Sequence, residues 1–152
     1  MATVREDVIP SLERSPLFAG MEREQVRTAA ERFDDSTYLA GHGVLTEGLS
    51  GPDFFVILEG EADVIVDGNI VHHLRAGDFF GEVAALDGKS RTASVRATSR
   101  LRCLTLGDGS FRQFLIENPI IAVNLLPEIV RRFRSVAPNA PPLADEGSQT
   151  AG

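Results

Sequence analysis

Between Asp53 and Leu106 the apolar residues fall in short runs with strand spacing. Asp53–Glu59 (DFFVILE) carries the apolar run Phe54–Leu58, the pattern of a buried strand. Glu61–Asp67 alternates, with Ala62, Val64 and Val66 on one face. Asp67-Gly68-Asn69 then supplies residues that tolerate φ > 0, and Ile70–Arg75 returns as the second arm of a hairpin. Thr92–Ala97 alternates again through Ala93, Val95 and Ala97, and Leu101–Leu106 predicts a last strand. Nine of the fourteen glycines lie between positions 41 and 88, cutting that stretch into the short pieces a chain of tight turns requires. This spacing predicts an antiparallel β-roll of the jelly-roll type.

Both flanks switch to helical periodicity. In MEREQVRTAAERF, Val26, Ala29, Ala30 and Phe33 recur at i, i+3, i+4 and i+7, with charges on the other face. After the last strand, Asp108 or Ser110 is placed to cap a helix carrying Phe111, Phe114 and Leu115. Asn118-Pro119 breaks it and starts another, IIAVNLLPEIVRRF. Within that last helix Pro127 removes an N–H and crowds the carbonyl of Val123, so a kink or break is expected there. From position 136 to 152 the chain is rich in Pro, Ala and small polar residues, which predicts a disordered tail behind a single domain over 1–135. The fold expected is mainly β, a jelly-roll-like double-stranded β-helix with N-terminal and C-terminal α-helices.

Composition narrows the function. A length of 152 residues suits one domain with a real core. The net charge of −7 disfavours a dedicated nucleic-acid binder, and Cys103, the only cysteine, excludes an internal disulfide and a Cys-rich zinc site. No apolar run approaches the roughly 20 residues that span a bilayer, and MATVREDVIPSLERS lacks a signal-peptide core, so the expected compartment is the cytosol.

The candidate chemistry lies in GDFFGEVAALDGKSRTASVRA, Gly77 to Ala97. Gly81 lets the backbone turn sharply, and Glu82-Val83-Ala84-Ala85-Leu86 is short and apolar enough for one helical turn. Backbone N–H groups at such a start have no internal partners and attract an anion. Arg91 and the hydroxyl of Thr92 follow, so free amides, a guanidinium and a hydroxyl converge on phosphate chemistry. Glu82 beside them suits the hydroxyls of a sugar. Taken alone, the same residues also fit a solvated Arg91–Glu82 pair closing a turn.

At these residues the sequence resembles the cyclic nucleotide-binding domain family, which includes catabolite activator proteins, protein kinase A regulatory subunits and cyclic-nucleotide-gated channels. The phosphate-binding cassette of that family is matched by Phe80-Gly81-Glu82-Val83-Ala84-Ala85-Leu86 and then Ser90-Arg91-Thr92-Ala93-Ser94-Val95. SPLFAGM with the helix after it, LAGHGVLTEG from Leu39, and FFVILEGEADV resemble further parts of the same domain, so the likeness covers roughly residues 10 to 134. It implies that Arg91 pairs with the cyclic phosphate and that Thr92 adds a hydroxyl bond. It implies that Glu82 accepts the ribose 2′-OH, while backbone N–H groups near Val83, Ala84, Thr92 and Ala93 complete the cradle that Gly81 opens. It also implies that the last helix closes over the base, with Arg132 the best-placed contact and Arg131 next. Ser90 replaces a common Pro and Ala85 a common Leu; neither removes a ligand-binding group.

The resemblance therefore implies a non-catalytic regulatory module for a cyclic purine nucleotide, cAMP first and cGMP second. It would have no metal, an unspecified effector protein or domain, and a homodimer left open. Residues 128–136 are expected to be displaced without nucleotide and to dock over the base with it. The reading from another class is a degenerate relative that serves as a protein-interaction scaffold. A transcription regulator would need a DNA-reading helix-turn-helix after the last helix, where the chain instead runs into Pro/Ala-rich sequence, so direct DNA binding is not expected. Three histidines raise a metal site, but His72 and His73 are adjacent on a strand and point to opposite faces.

Overall fold

The computed structural model describes residues 6–48, 53–82, 92–107 and 109–136. Among the described residues eight strands form two four-stranded antiparallel sheets. They are β1 (Asp34–Tyr38), β2 (Gly43–Leu45), β3 (Phe54–Glu59), β4 (Glu61–Val66), β5 (Asn69–Arg75), β6 (Phe79–Phe80), β7 (Ser94–Ala97) and β8 (Leu101–Leu106). One sheet has the order β1-β8-β3-β6 and the other β2-β7-β4-β5. The chain crosses between sheets at almost every connection, which makes the β-roll. The helices are α1 (Ile9–Glu13), α2 (Arg23–Ala30), α3 (Phe111–Glu117) and α4 (Pro119–Val136), with short 3₁₀ turns at Glu6–Val8 and Pro16–Phe18. No single helix among the described residues is long and apolar enough to cross a membrane.

The continuous apolar run of β3 has a structural cause. Phe54, Val56 and Leu58 face the helices, and Phe55 and Ile57 face the interior of the roll. The first sheet is thus the middle layer of three. On its helical side Phe54 stacks on Phe111 at 4.1 Å, and Phe33 meets Phe114 edge-on at 5.1 Å. On the roll side Phe55 stacks on Phe80 at 4.6 Å. Val26, Ala29, Ala30 and Phe33 are all buried, as their spacing predicts, although α2 ends at Ala30 and Phe33 lies beyond it. The Asp67-Gly68 turn has φ of 51° and 81°, the left-handed pair of a two-residue hairpin. Gly60, where the chain passes from one sheet to the other, has φ 93°, and a Cβ there would lie 2.1 Å from the carbonyl oxygen of Arg100.

Some expectations are corrected. β1, Asp34-Asp35-Ser36-Thr37-Tyr38, carries no strand signal; it is a strand because β8 pairs with it from Asp34↔Thr105 to Tyr38↔Leu101. Ser110 precedes α3, but its side chain makes no capping hydrogen bond; Asp108 lies outside the described residues. Helix α4 runs through Pro127 without the break that is one of the two outcomes expected there. Ile121, Leu125 and Ile129 hold it to the core on both sides of the proline, and Asn124 donates to the carbonyls of Leu17 (2.9 Å) and Ala19 (2.8 Å). The carbonyl that Pro127 leaves without a donor belongs to Val123, on the exposed side where water can reach it. His72 and His73 are both exposed, and His73 faces Asp63 across the hairpin at 2.5 Å. The tail from 137 onward lies outside the described residues.

Candidate functional site

Two elements lead into the candidate site and one leads out. The turn before β6 is fixed by Ser15, a buried serine whose hydroxyl donates to the carbonyl of Gly77 at 2.8 Å. Ile57 and Gly77 complete the join, with the Gly77 N–H donating to the Ile57 carbonyl at 2.9 Å. β6 then places Phe79 toward the helices and Phe80 into the roll, as adjacent strand residues must. Gly81 follows with φ 88°, a conformation that favours glycine, and Glu82 comes immediately after it. The chain is next described at Thr92, which is exposed, and Ala93, which is half-buried; β7 begins at Ser94. Val83, Ala84 and Arg91, and with them the expected helical turn, lie outside the described residues.

Glu82 is the informative side chain. It is 8 % exposed, one of only two buried polar residues among those described. A carboxylate removed from water needs a partner. That partner comes from α4: Arg132 approaches with Nη1 3.2 Å from the Glu82 Oε1. The same guanidinium donates through Nη2 to the carbonyl of Phe79, and its Cζ lies 4.0 Å from the centre of the Phe79 ring. Arg132 thus bonds backbone, ring and carboxylate at once, and the start of the cassette is stitched to the last helix. Beside this contact a small cavity of about 10 Å³ lies between Glu128 and the Pro16, Leu17, Gly77, Asp78 and Phe79 surface.

The far rim is tied down as well. The Glu47 N–H donates to the Ser94 hydroxyl at 2.9 Å, and the Asp67 N–H donates to the Glu47 carboxylate at 3.1 Å. Beneath, Tyr38, Val44, Leu45 and Val64 are partly buried against the core of the roll. Burial there raises the Tyr38 phenol, and it pushes the Cys103 thiol up to about 12, so Cys103 is an inert core residue. Among the described residues no group of His, Cys, Asp and Glu converges as metal ligands would.

Glu82 and Arg132, fifty residues apart, are therefore brought together, and Thr92 and Ala93 stand at the start of β7. Beyond Pro127, Ile129 of α4 packs on the core, whereas Val130 and Phe133 are exposed. Phe79 was not singled out by the sequence. The Phe79-Phe80 doublet in a two-residue strand was the available signal, because one of the two had to face the helices.

Comparison with known proteins adds the family context. The family model described as "Cyclic nucleotide-binding domain" matches residues 36–118, more than half of the chain. A cAMP-dependent protein kinase regulatory subunit from Eremothecium gossypii is 37% identical over 121 residues, covering 79% of this chain and 26% of that protein. The chain thus spans about a quarter of the length of the curated relatives it matches. Among solved structures, cAMP-bound PfPKA-R superposes with a TM-score of 0.76 at 25% identity, over 87% of this chain and 45% of that one. The regulatory subunit of a cAMP-independent protein kinase A from Trypanosoma cruzi, bound to guanosine, gives 0.67 at 26% identity, over 78% and 43%.

Proposed function

Since the chain belongs to the cyclic nucleotide-binding domain family, we propose that its site takes a cyclic purine nucleotide, cAMP in preference to cGMP. The domain is regulatory and not an enzyme; its curated relatives are named regulatory subunits. The observation that carries the proposal is the seat of Glu82. A carboxylate held below a tenth exposed, one residue after a left-handed glycine and inside the matched segment, is a costly arrangement, and recognition of a sugar hydroxyl gives it a use. In this reading Glu82 accepts the ribose 2′-OH, and Arg91 and Thr92 bind the cyclic phosphate. Amides near Val83, Ala84 and Ala93 complete the cradle, and Gly81 makes the turn. Arg132, on α4, reports occupancy of the site to the helix. No metal takes part.

The domain would occupy residues 1–135. It would act in the cytosol on an effector protein, without contacting DNA itself. The guanosine-bound neighbour gives specific support to a second ligand class, the free nucleoside.

Calorimetry with cAMP, cGMP, guanosine and 2′-deoxy-cAMP separates these readings. Binding of cAMP is expected, weaker for the 2′-deoxy form. Arg91→Ala should lose roughly 2–5 kcal/mol, because a desolvated phosphate would be left without its charge partner. Unchanged cAMP affinity in a folded Arg91→Ala protein overturns the phosphate assignment. Silence toward all four ligands leaves the scaffold reading.

A further inference from the structure

Strand β7 carries the chain away from the candidate site, and its ladder stops at the same level on both sides. Toward β2 the last pair is Leu45↔Val95, and toward β4 it is Ile65↔Ser94. Thr92 and Ala93, the next residues toward the site, stand beyond the last rung. Backbone past the end of a ladder opens easily unless another contact holds it.

Glu47 supplies that contact. Its backbone N–H donates to the Ser94 hydroxyl at 2.9 Å, so a side-chain oxygen extends the join between the β2 flank and β7. Its carboxylate accepts from the Asp67 N–H at 3.1 Å, in the turn that ends β4. β7 lies between β2 and β4 in the sheet, so one residue links both flanks of β7 across two strand spacings, about 10 Å. Glu47 is half-buried, and among the described residues its carboxylate forms no ion pair. Its bond to the amide is charge-assisted and therefore stronger than a neutral one. Asp67 has use for it: a φ of 51° is an unfavourable conformation for a residue other than glycine, and a bond to its own N–H helps to hold it there.

We propose that Glu47 is a positioning residue for the nucleotide. It clamps the two flanks of β7 so that Thr92 and the Ala93 amide meet the phosphate at a fixed spacing, and it does so without touching the ligand. This role rests on the reading of the site given above. A carboxylate close to a phosphate repels it, so an acid at this point has to be useful for something other than ligand contact, and the two bonds of Glu47 are that use.

Calorimetry with cAMP and hydrogen exchange, both on the whole chain, test this. Glu47→Ala should weaken cAMP binding roughly tenfold, about the worth of one charge-assisted hydrogen bond. Its Asp67 amide should also exchange faster than in the wild type. Glu47→Gln keeps an acceptor for that amide, so it should restore slow exchange and bring the affinity to within about threefold of wild type. Gly41→Ala controls for lost stability. Gly41 precedes β2, has open space around it and takes no part in the clamp, so this variant should melt earlier and bind cAMP as wild type does. Wild-type affinity or unchanged Asp67 exchange in Glu47→Ala, equal losses in Glu47→Ala and Glu47→Gln, or an equal loss in Gly41→Ala overturns the positioning role alone. A wild-type chain that binds no cyclic nucleotide overturns the reading of the site and this role with it. If Glu47→Ala fails to fold, Ser94→Ala and Ser94→Thr decide. Only the alanine removes the hydroxyl that accepts from Glu47, so only it should lose affinity, and equal affinities overturn the role.

Discussion

Removing Arg132 should destabilise the domain through Glu82, and a double-mutant cycle measures how much. The charges lie 3.2 Å apart, with side chains 10% exposed for Glu82 and 23% for Arg132. At an effective dielectric constant of about 20, their attraction is about 5 kcal/mol. Much of that is returned as the cost of taking both groups out of water, and the partly wet guanidinium is further screened. A net coupling of about 1–3 kcal/mol remains. Arg132→Met keeps the aliphatic stem but strands a carboxylate below a tenth exposed, and it also gives up about 0.5–1 kcal/mol of contact with the Phe79 ring. The single variant should therefore lose about 2–4 kcal/mol, or roughly 5–12 °C in Tm for a domain of this size. Glu82→Gln retains the shape and should cost less, and adding it to Arg132→Met should recover about 1–3 kcal/mol. Urea unfolding of the four proteins gives the coupling directly. A coupling below about 0.5 kcal/mol would refute the idea that Arg132 is what makes the burial of Glu82 tolerable.

Three further outcomes are expected. Gly60→Ala should cost about 3 kcal/mol or more, because it combines left-handed backbone strain with a Cβ 2.1 Å from the Arg100 carbonyl; Gly41→Ala, with φ 88° but open space around it, should cost only about 1 kcal/mol, and equal losses in thermal melts would contradict the packing argument. Cys103 should resist thiol reagents at pH 8 until the protein unfolds. Its thiol ionises near 12 in the fold but near ~8.5 in the unfolded chain, so the unfolded state holds fewer protons above that pH. Stability should then fall as pH rises from the lower value to the higher, and Cys103→Ala should lack that component of the decline. Finally, hydrogen exchange at the amides of Ile129 to Phe133 should slow when cAMP is added; full protection beforehand would make α4 a fixed part of the core and end its role as a lid.

How far residues alone lead depends on the kind of interaction that fixes each element. Val26, Ala29, Ala30 and Phe33 announce their helix face because burial repeats with the helical period, and Asp67-Gly68 announces its hairpin because few residues accept φ > 0. The turn at Gly81 is legible because few residues accept its φ of 88°. β1 is not legible: Asp34–Tyr38 is polar, and a partner 63 to 71 residues away, from Tyr38↔Leu101 to Asp34↔Thr105, makes it a strand. The Glu82–Arg132 pair is equally hidden, since neither periodicity nor spacing links residues on different layers. Pro127 does not end its helix, for the opposite reason. The local rule is sound, but the tertiary contacts of Ile121, Leu125 and Ile129 outweigh it.

The pairing of β1 with β8 also sets a schedule for synthesis. β1 is made well before its neighbour in the sheet, Leu101–Leu106, which is the last of the described strands to leave the ribosome. β3 has the same dependence, since β8 lies between it and β1. At about 5–20 residues per second, the unbroken apolar run Phe54–Leu58 waits several seconds for its partner, with both faces of the strand open to other nascent chains. The contact order is high and the closing step is non-local, so folding should be slow for a domain of this length. The vulnerable interval in the life of this protein is therefore its own translation, and shielding of β3 by a chaperone would matter most before Leu106 emerges.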